Sequence, residues 1–387
     1  MKKRACKWSV IVLLCCCLCT LAPIAFAAED SDSADILESE MKAQLESVGA
    51  DELYELLPDD SKQLLEELGV TMPDIGQLNQ VTPLNIFQSL GALLSGTAVN
   101  PLRGGILILG VLLLSAVLGS LLGDEPGQQG MLTLCVGAFL AATLAPYLWN
   151  CLSTARAAII AACDFSLAYV PVLTALAAAN GSISASLSYS AMTLGLAEVM
   201  AQFSKRFLLP CTGIFIGVNM AANISGSLDF SALTQAVKKT VTVALAFSGT
   251  VFTGLITAKG VLAKGVDTVA LKGAKFVVGS FVPIIGGSLS DALGSIMSGL
   301  SIVKNSVGIF AILAIAAILG PALVELLLWN LCLNLCAGVA GALGEDRAGK
   351  LLKGISDGLA LLHIILIFCL ILLVISTAVI LTVKAEF

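Results

Sequence analysis

The stretch LALLHIILIFCLILLVISTAVILT, residues 359–382, decides the fold class. Seventeen of its 24 residues are Leu, Ile, Val or Phe, and none is Asp, Glu, Lys or Arg. At roughly −0.3 to −0.6 kcal/mol for each such residue, a helix here enters lipid favourably by several kcal/mol. As a helix it is about 36 Å long, more than a hydrocarbon core of about 30 Å, so it crosses with a tilt. Residues 104–122, 131–149, 207–224, 240–257 and 306–328 read the same way. Residues 157–179 are weaker, because Asp164 costs roughly 2.5–3.5 kcal/mol at a helix centre. Residues 183–203, 277–302 and 329–343 are ambiguous. The expectation is an all-α, polytopic helical membrane domain over 104–387, with six strong spans and up to ten in all.

Ahead of Arg103 the composition changes. Lys2, Lys3, Arg4 and Lys7, an apolar run from Val10 to Leu21, and Ala25-Phe26-Ala27 form a signal peptide over 1–27, with Ala28 starting the mature chain. Residues 28–80 hold 15 Asp and Glu against Lys42 and Lys62. Leu37, Met41, Leu45 and Val48 recur at helical spacing between these acids. A second short helix, Asp51–Leu57, is expected to stop at Pro58, and a third to run from Asp60 to Leu68 and end at Gly69. Three such helices cover one another only in part, which leaves a small, weakly stable module or a surface for a partner. Residues 69–103 read as a linker with an interfacial helix around Leu84–Leu94. The segment 28–103 is thus an acidic, helical, extracytoplasmic segment, exported by the signal. Charge does not settle orientation: the loop 123–130 carries Asp124 and Glu125 and no Lys or Arg, and basic pairs flank 207–224 on both sides.

Composition excludes several chemistries. Charged residues are 12% of the chain and form no basic stripe, so nucleic acid is not a partner. The seven cysteines beyond the signal all lie in apolar stretches, and a lone histidine, His363, gives no zinc set even beside Cys332 and Cys336. HExxH, GxSxG and GxxxxGK[ST] are absent. The chain reads as a non-enzyme without a cofactor.

Polar residues inside apolar stretches carry more. Asp164, Glu198, Asp291 and Glu325, with Asn219, Asn223, Asn330 and Asn334, either bond between helices or line a wet path. Lys259, Lys264, Lys272 and Lys275 mark either a headgroup-facing helix or an ordinary connection. Phe281-Val282-Pro283-Ile284-Ile285-Gly286-Gly287 interrupts an apolar run, which favours a re-entrant or broken helix over a simple loop. Ser288, Ser290 or Asp291 would cap the half-helix that follows, and Lys304-Asn305 would end it.

These residues carry a resemblance. Lys275-Phe276, Phe281-Val282-Pro283, Gly286, Ser290-Asp291-Ala292, Lys304-Asn305 and Val307-Gly308, with weaker support from Gly217-Val218-Asn219-Met220, resemble the stage III sporulation protein AE family of endospore-forming bacteria. The resemblance implies a place in the channel between mother cell and forespore, in the mother-cell-derived outer forespore membrane, supporting late forespore gene expression. It implies as partners the other stage III A-operon proteins, including a secretion-type ATPase and ring-forming proteins, and stage II sporulation protein Q. No catalytic residues come with it. The residues singled out for function are Phe281, Pro283, Gly286, Gly287, Ser290, Asp291 and Lys304 at the broken helix. A stand-alone small-solute permease is the alternative, since broken helices and midplane carboxylates suit that class.

Overall fold

A computed structural model describes residues 49, 51–73, 75–79, 81–122, 126–179, 195, 198–199, 202–203, 206–207, 209–225, 232–252, 254 and 286–382. The expected signal peptide, the expected first acidic helix, the lysine stretch 259–275 and the Phe281–Ile285 interruption lie outside the described residues. Every regular element among them is helical.

The short helices come first. A 3-10 turn, Asp51–Leu53, precedes α1, Asp59–Glu67. Asp59 and Asp60 sit in the first turn of α1, where the helix dipole favours acids. Gly69 ends the helix at φ +75°, and the Val70 N–H returns to the Leu65 carbonyl at 2.8 Å. α2 is Ile75–Asn79, and α3 is Pro83–Thr97, opened by the Thr82 hydroxyl, which accepts from the Asn85 N–H at 3.3 Å. The α1 and α3 expectations hold to within a few residues; the stretch after Leu53 is turn, not helix. Leu53, Leu57, Leu65 and Val70 are buried, and these helices pack on three long helices of the bundle rather than only on one another.

The long helices are α4 (Val99–Leu122), α5 (Pro126–Ala179), α6 (Leu209–Ser225), α7 (232–252), α8 (Gly286–Ala342) and α9 (Asp346–Thr382). By length and composition, α4, α5, α8 and α9 can each cross a membrane. The expected spans 131–149 and 157–179 are one 54-residue helix, α5, with Pro146 and Pro171 inside it. The 57-residue α8 likewise joins the stretches at 306–328 and 329–343, with Pro321 inside. It also runs unbroken through Lys304-Asn305, where a helix end was expected. At 1.5 Å per residue, α5 and α8 run up to about 80 Å each.

Contacts fix the register. α8 and α9 form an antiparallel hairpin, turned at Gly344 (φ +80°, a conformation suited to glycine). Asn330 meets Ser356 across it, and Gly308 packs against Leu381 at its far end. α5 lies antiparallel to α8, with Tyr147 against Trp329 and Asn150 against Glu325. α4 runs alongside the second half of α8: the Pro101 carbonyl accepts from the Cys332 thiol, and the Ser115 hydroxyl donates to the Glu345 carboxylate. α6 seats on α9 at Gly354 and Gly358, four residues apart, where a Cβ would meet Asn219 Oδ1 at 2.8 Å and Ile216 at 2.5 Å. Gly249 of α7 faces Phe368 of α9. The opposite direction for α7 would put its start about 55 Å from Ser225, whereas the six-residue connection reaches about 25 Å. α7 therefore starts near the end of α6, with Lys238 level with the first third of α9.

The bundle thus has two storeys. One holds α4, the first half of α5, the later half of α6 and the end of α8. The other holds the second half of α5, the earlier half of α6, the middle of α8, most of α9 and most of α7.

Gly358→Leu should drive a side chain into Ile216 and Phe215, lowering stability by about 1–3 kcal/mol in a detergent unfolding assay, whereas Gly110→Ala, with open space around it, should not. In the short-helix module, Tyr54 donates to Glu66 Oε1 at 2.7 Å. Burial, that bond and the charges of Glu66 and Glu55 push its phenol up to about 12. The raised value favours the protonated fold, so the contribution is complete below about pH 10 and fades as pH rises through about 12. A difference titration against Tyr54→Phe should show one phenol ionising late; ionisation near 10 would contradict this.

Candidate functional site

The storeys meet at a level rich in polar groups. Asn330 and Asn334 stand one turn apart on α8 and face α9. Asn330 Nδ2 donates to the Ser356 carbonyl at 2.8 Å. Asn334 Nδ2 donates to Ser356 Oγ at 2.7 Å and to Asn330 Oδ1 at 2.9 Å. Lys353 Nζ reaches Asn334 Oδ1 at 2.6 Å and lies 3.9 Å from Asp357. The result is a polar chain from the buried Ser356 hydroxyl to a half-exposed ammonium. Amides suit this place because each both donates and accepts, so few polar atoms stay unpaired in an apolar bundle.

Neighbouring helices extend the level. Asn219 of α6 rests against Gly354 and donates to the Phe215 carbonyl at 2.8 Å. A turn from Trp329, Glu325 accepts from Asn150 Nδ2 at 3.2 Å, with the Cys151 thiol at 3.9 Å. Tyr147 packs on Trp329 with ring centroids 4.9 Å apart, and the buried Trp329 Nε1 has no hydrogen-bond partner. Among the described residues, no group of three or more His, Cys, Asp or Glu is placed to hold a metal. The arrangement can pin four helices in register and offers amide and ammonium groups to an anion or to water.

The sequence profile of the stage III sporulation protein AE family matches residues 85–384. The chain belongs to the stage III sporulation protein AE family. A relative in Bacillus subtilis (strain 168), stage III sporulation protein AE, is 26% identical over 220 residues, 56% of this chain and 55% of the relative. The chain therefore aligns with about half the length of that relative. No solved structure matches. The match takes in nearly all of α3 and every long helix, and leaves α1 and α2 outside it.

Within this stage III sporulation protein AE family member, the residues singled out from sequence divide. Asn219, Asn330, Asn334 and Glu325 meet at the polar level. Asp164 and Glu198 do not; both are exposed, and Glu198 accepts from Gln202 Nε2 at 2.9 Å. Lys304 is 1% exposed, nearer the start of α8. Gly286, Gly287, Ser290 and Asp291 form the first turns of α8, with side chains outside the described residues, as is that of Asn223 in α6. Phe281 and Pro283 lie outside them entirely. Sequence reasoning missed Asn150, Lys353, Ser356 and Asp357. A signal was there: Gly354 and Gly358 bracket two of them in a small-x-x-x-small repeat, with Lys353 and Asp357 also four apart.

Asn334→Ala and Ser356→Ala should each destabilise, with a coupling of about 0.6–1.7 kcal/mol in a double-mutant cycle read by unfolding in mixed detergent. Additive effects would mean that the 2.7 Å contact contributes nothing.

Proposed function

We propose that this chain is an integral membrane component of the mother cell–forespore channel, a secretion-like transport complex needed for endospore formation and late forespore gene expression. The polar level inside an otherwise apolar bundle carries the reading, because buried amides, a carboxylate and a lysine are costly in lipid and are kept where a path or a fixed register needs them. Family membership and the printed name of the Bacillus subtilis relative support the sporulation context. In this reading the chain sits in the outer forespore membrane with its N-terminal segment exported, and its role is non-enzymatic. The long helices seat the bilayer-crossing base. The short acidic helices turn their apolar side to the bundle and leave acids outward, which suits docking of the other stage III A-operon proteins, among them the ATPase and the ring-forming proteins, and of stage II sporulation protein Q.

Asn334→Ala combined with Lys353→Gln, at wild-type protein level, should cut a late forespore reporter and heat-resistant spore counts at least several-fold. Normal counts would remove the polar level from function. Reversing Glu52, Asp59, Asp60 and Glu67 to Lys should lower recovery of the assembled complex, and unchanged recovery would sink the docking role. A stand-alone small-solute permease is the second reading, favoured by polar groups at half-height in a bundle. Purified protein alone in liposomes distinguishes the two: a channel component is inert without partners, whereas a permease moves solute.

A further inference from the structure

Four exposed cations lie at the same level as the buried polar chain. Arg103 of α4 is held between Pro101, whose carbonyl accepts from the Cys332 thiol, and Gly104, which abuts Trp329. Lys353 of α9 reaches Asn334. Lys238 and Lys239 of α7 precede Gly249 by 11 and 10 residues, about 16 Å of helix, which brings them level with Asp357. α4 and α9 each pack on α8, and α7 touches α9 where Gly249 faces Phe368, so these cations come from three helices rather than from one element.

The apolar surface on either side fixes what cations at this height meet. Toward the Gly344 turn, α4 shows Ile106, Leu113, Leu114 and Leu121 outward, while the first turns of α9 expose Asp346, Arg347 and Lys350. Toward the other end, α7 shows Phe247 and α9 shows Ile371. Each storey is about as long as one hydrocarbon core, roughly 30 Å, and the two together cannot fit in one. A water–lipid boundary must therefore cross the bundle between its ends, and the cations lie where one apolar storey gives way to the other.

We propose that Arg103, Lys238, Lys239 and Lys353 form a belt that binds anionic phospholipid headgroups and sets the depth of the bundle in its bilayer. Lys and Arg stems lie along apolar surface while their charged ends reach phosphate. Near an anionic surface each such cation favours binding by about fivefold. A planar array of headgroups matches cations distributed over three helices better than a single protein patch does. The assignment does not depend on the channel reading.

The test uses the full chain in nanodiscs of phosphatidylcholine, with or without one-third phosphatidylglycerol. Native mass spectrometry should find phosphatidylglycerol enriched on the wild-type protein. Arg103→Gln alone and the pair Lys238→Gln with Lys239→Gln should each lower that enrichment, by about fivefold per charge removed. Lys238→Arg with Lys239→Arg should retain it, and Arg156→Gln, an exposed cation away from the belt, should leave it unchanged. A fluorophore on Arg103→Cys should be quenched most by a nitroxide at the lipid headgroup. Unchanged enrichment in the Gln variants would assign these cations to a protein partner and overturn the belt, as would strongest quenching from a mid-chain nitroxide. If the Gln variants unfold, the quenching profile of Arg103→Cys decides alone.

Discussion

The pairing of α8 with α9 is the interaction on which the other long helices depend. It buries a continuous apolar seam from Val303 and Phe310 to Ala340, met from the other side by residues from Leu351 to Leu373. α4 and α5 pack against α8, and α6 and α5 against α9, so the hairpin is the surface on which the other helices are ordered. The Gly344 turn fixes which residues face each other, and a slip by one turn would separate Asn330 and Asn334 from Ser356.

In lipid that hairpin cannot rely on the hydrophobic effect, since tails are as apolar as the helices. Close approach and hydrogen bonds must supply the preference. Both are present: Gly354 and Gly358 admit α6 to van der Waals contact, and the Asn–Ser–Lys chain selects one register. Tyr169 and Thr377, bonded at 2.5 Å, repeat the device toward the other end of the bundle. Polar residues here act as sparse locating pins in a surface otherwise almost uniform in chemistry.

That uniformity explains what sequence could reveal. The spans at 104–122 and 359–382 were plain from composition, because burial in lipid is a local property of some twenty residues. Asn219, Asn330, Asn334 and Glu325 stood out for the same reason: each is costly where it lies. The continuity of α5 through Pro146 and Pro171 was not visible, because those residues break helices when water competes for backbone groups and do so less in an apolar bundle. Nor was the meeting of Asn150 with Glu325, 175 residues apart, since pairing across helices is set by register rather than by neighbours in the chain. The short acidic helices had their boundaries in the sequence, at Pro58 and Gly69, but not the bundle surface that covers them.

The fused helices have a consequence for how the chain is threaded. Two crossings joined by a loop return it to the starting compartment; one rod does not. Reading α5 and α8 as one rod each removes a reversal at each place, so parity is inverted for the segments between α5 and α8 and restored after α8. It also gives reach. A rod of up to about 80 Å is nearly twice the full headgroup-to-headgroup thickness of about 40–45 Å, so a chain anchored in one membrane holds a helical arm well beyond it without needing a separate soluble domain.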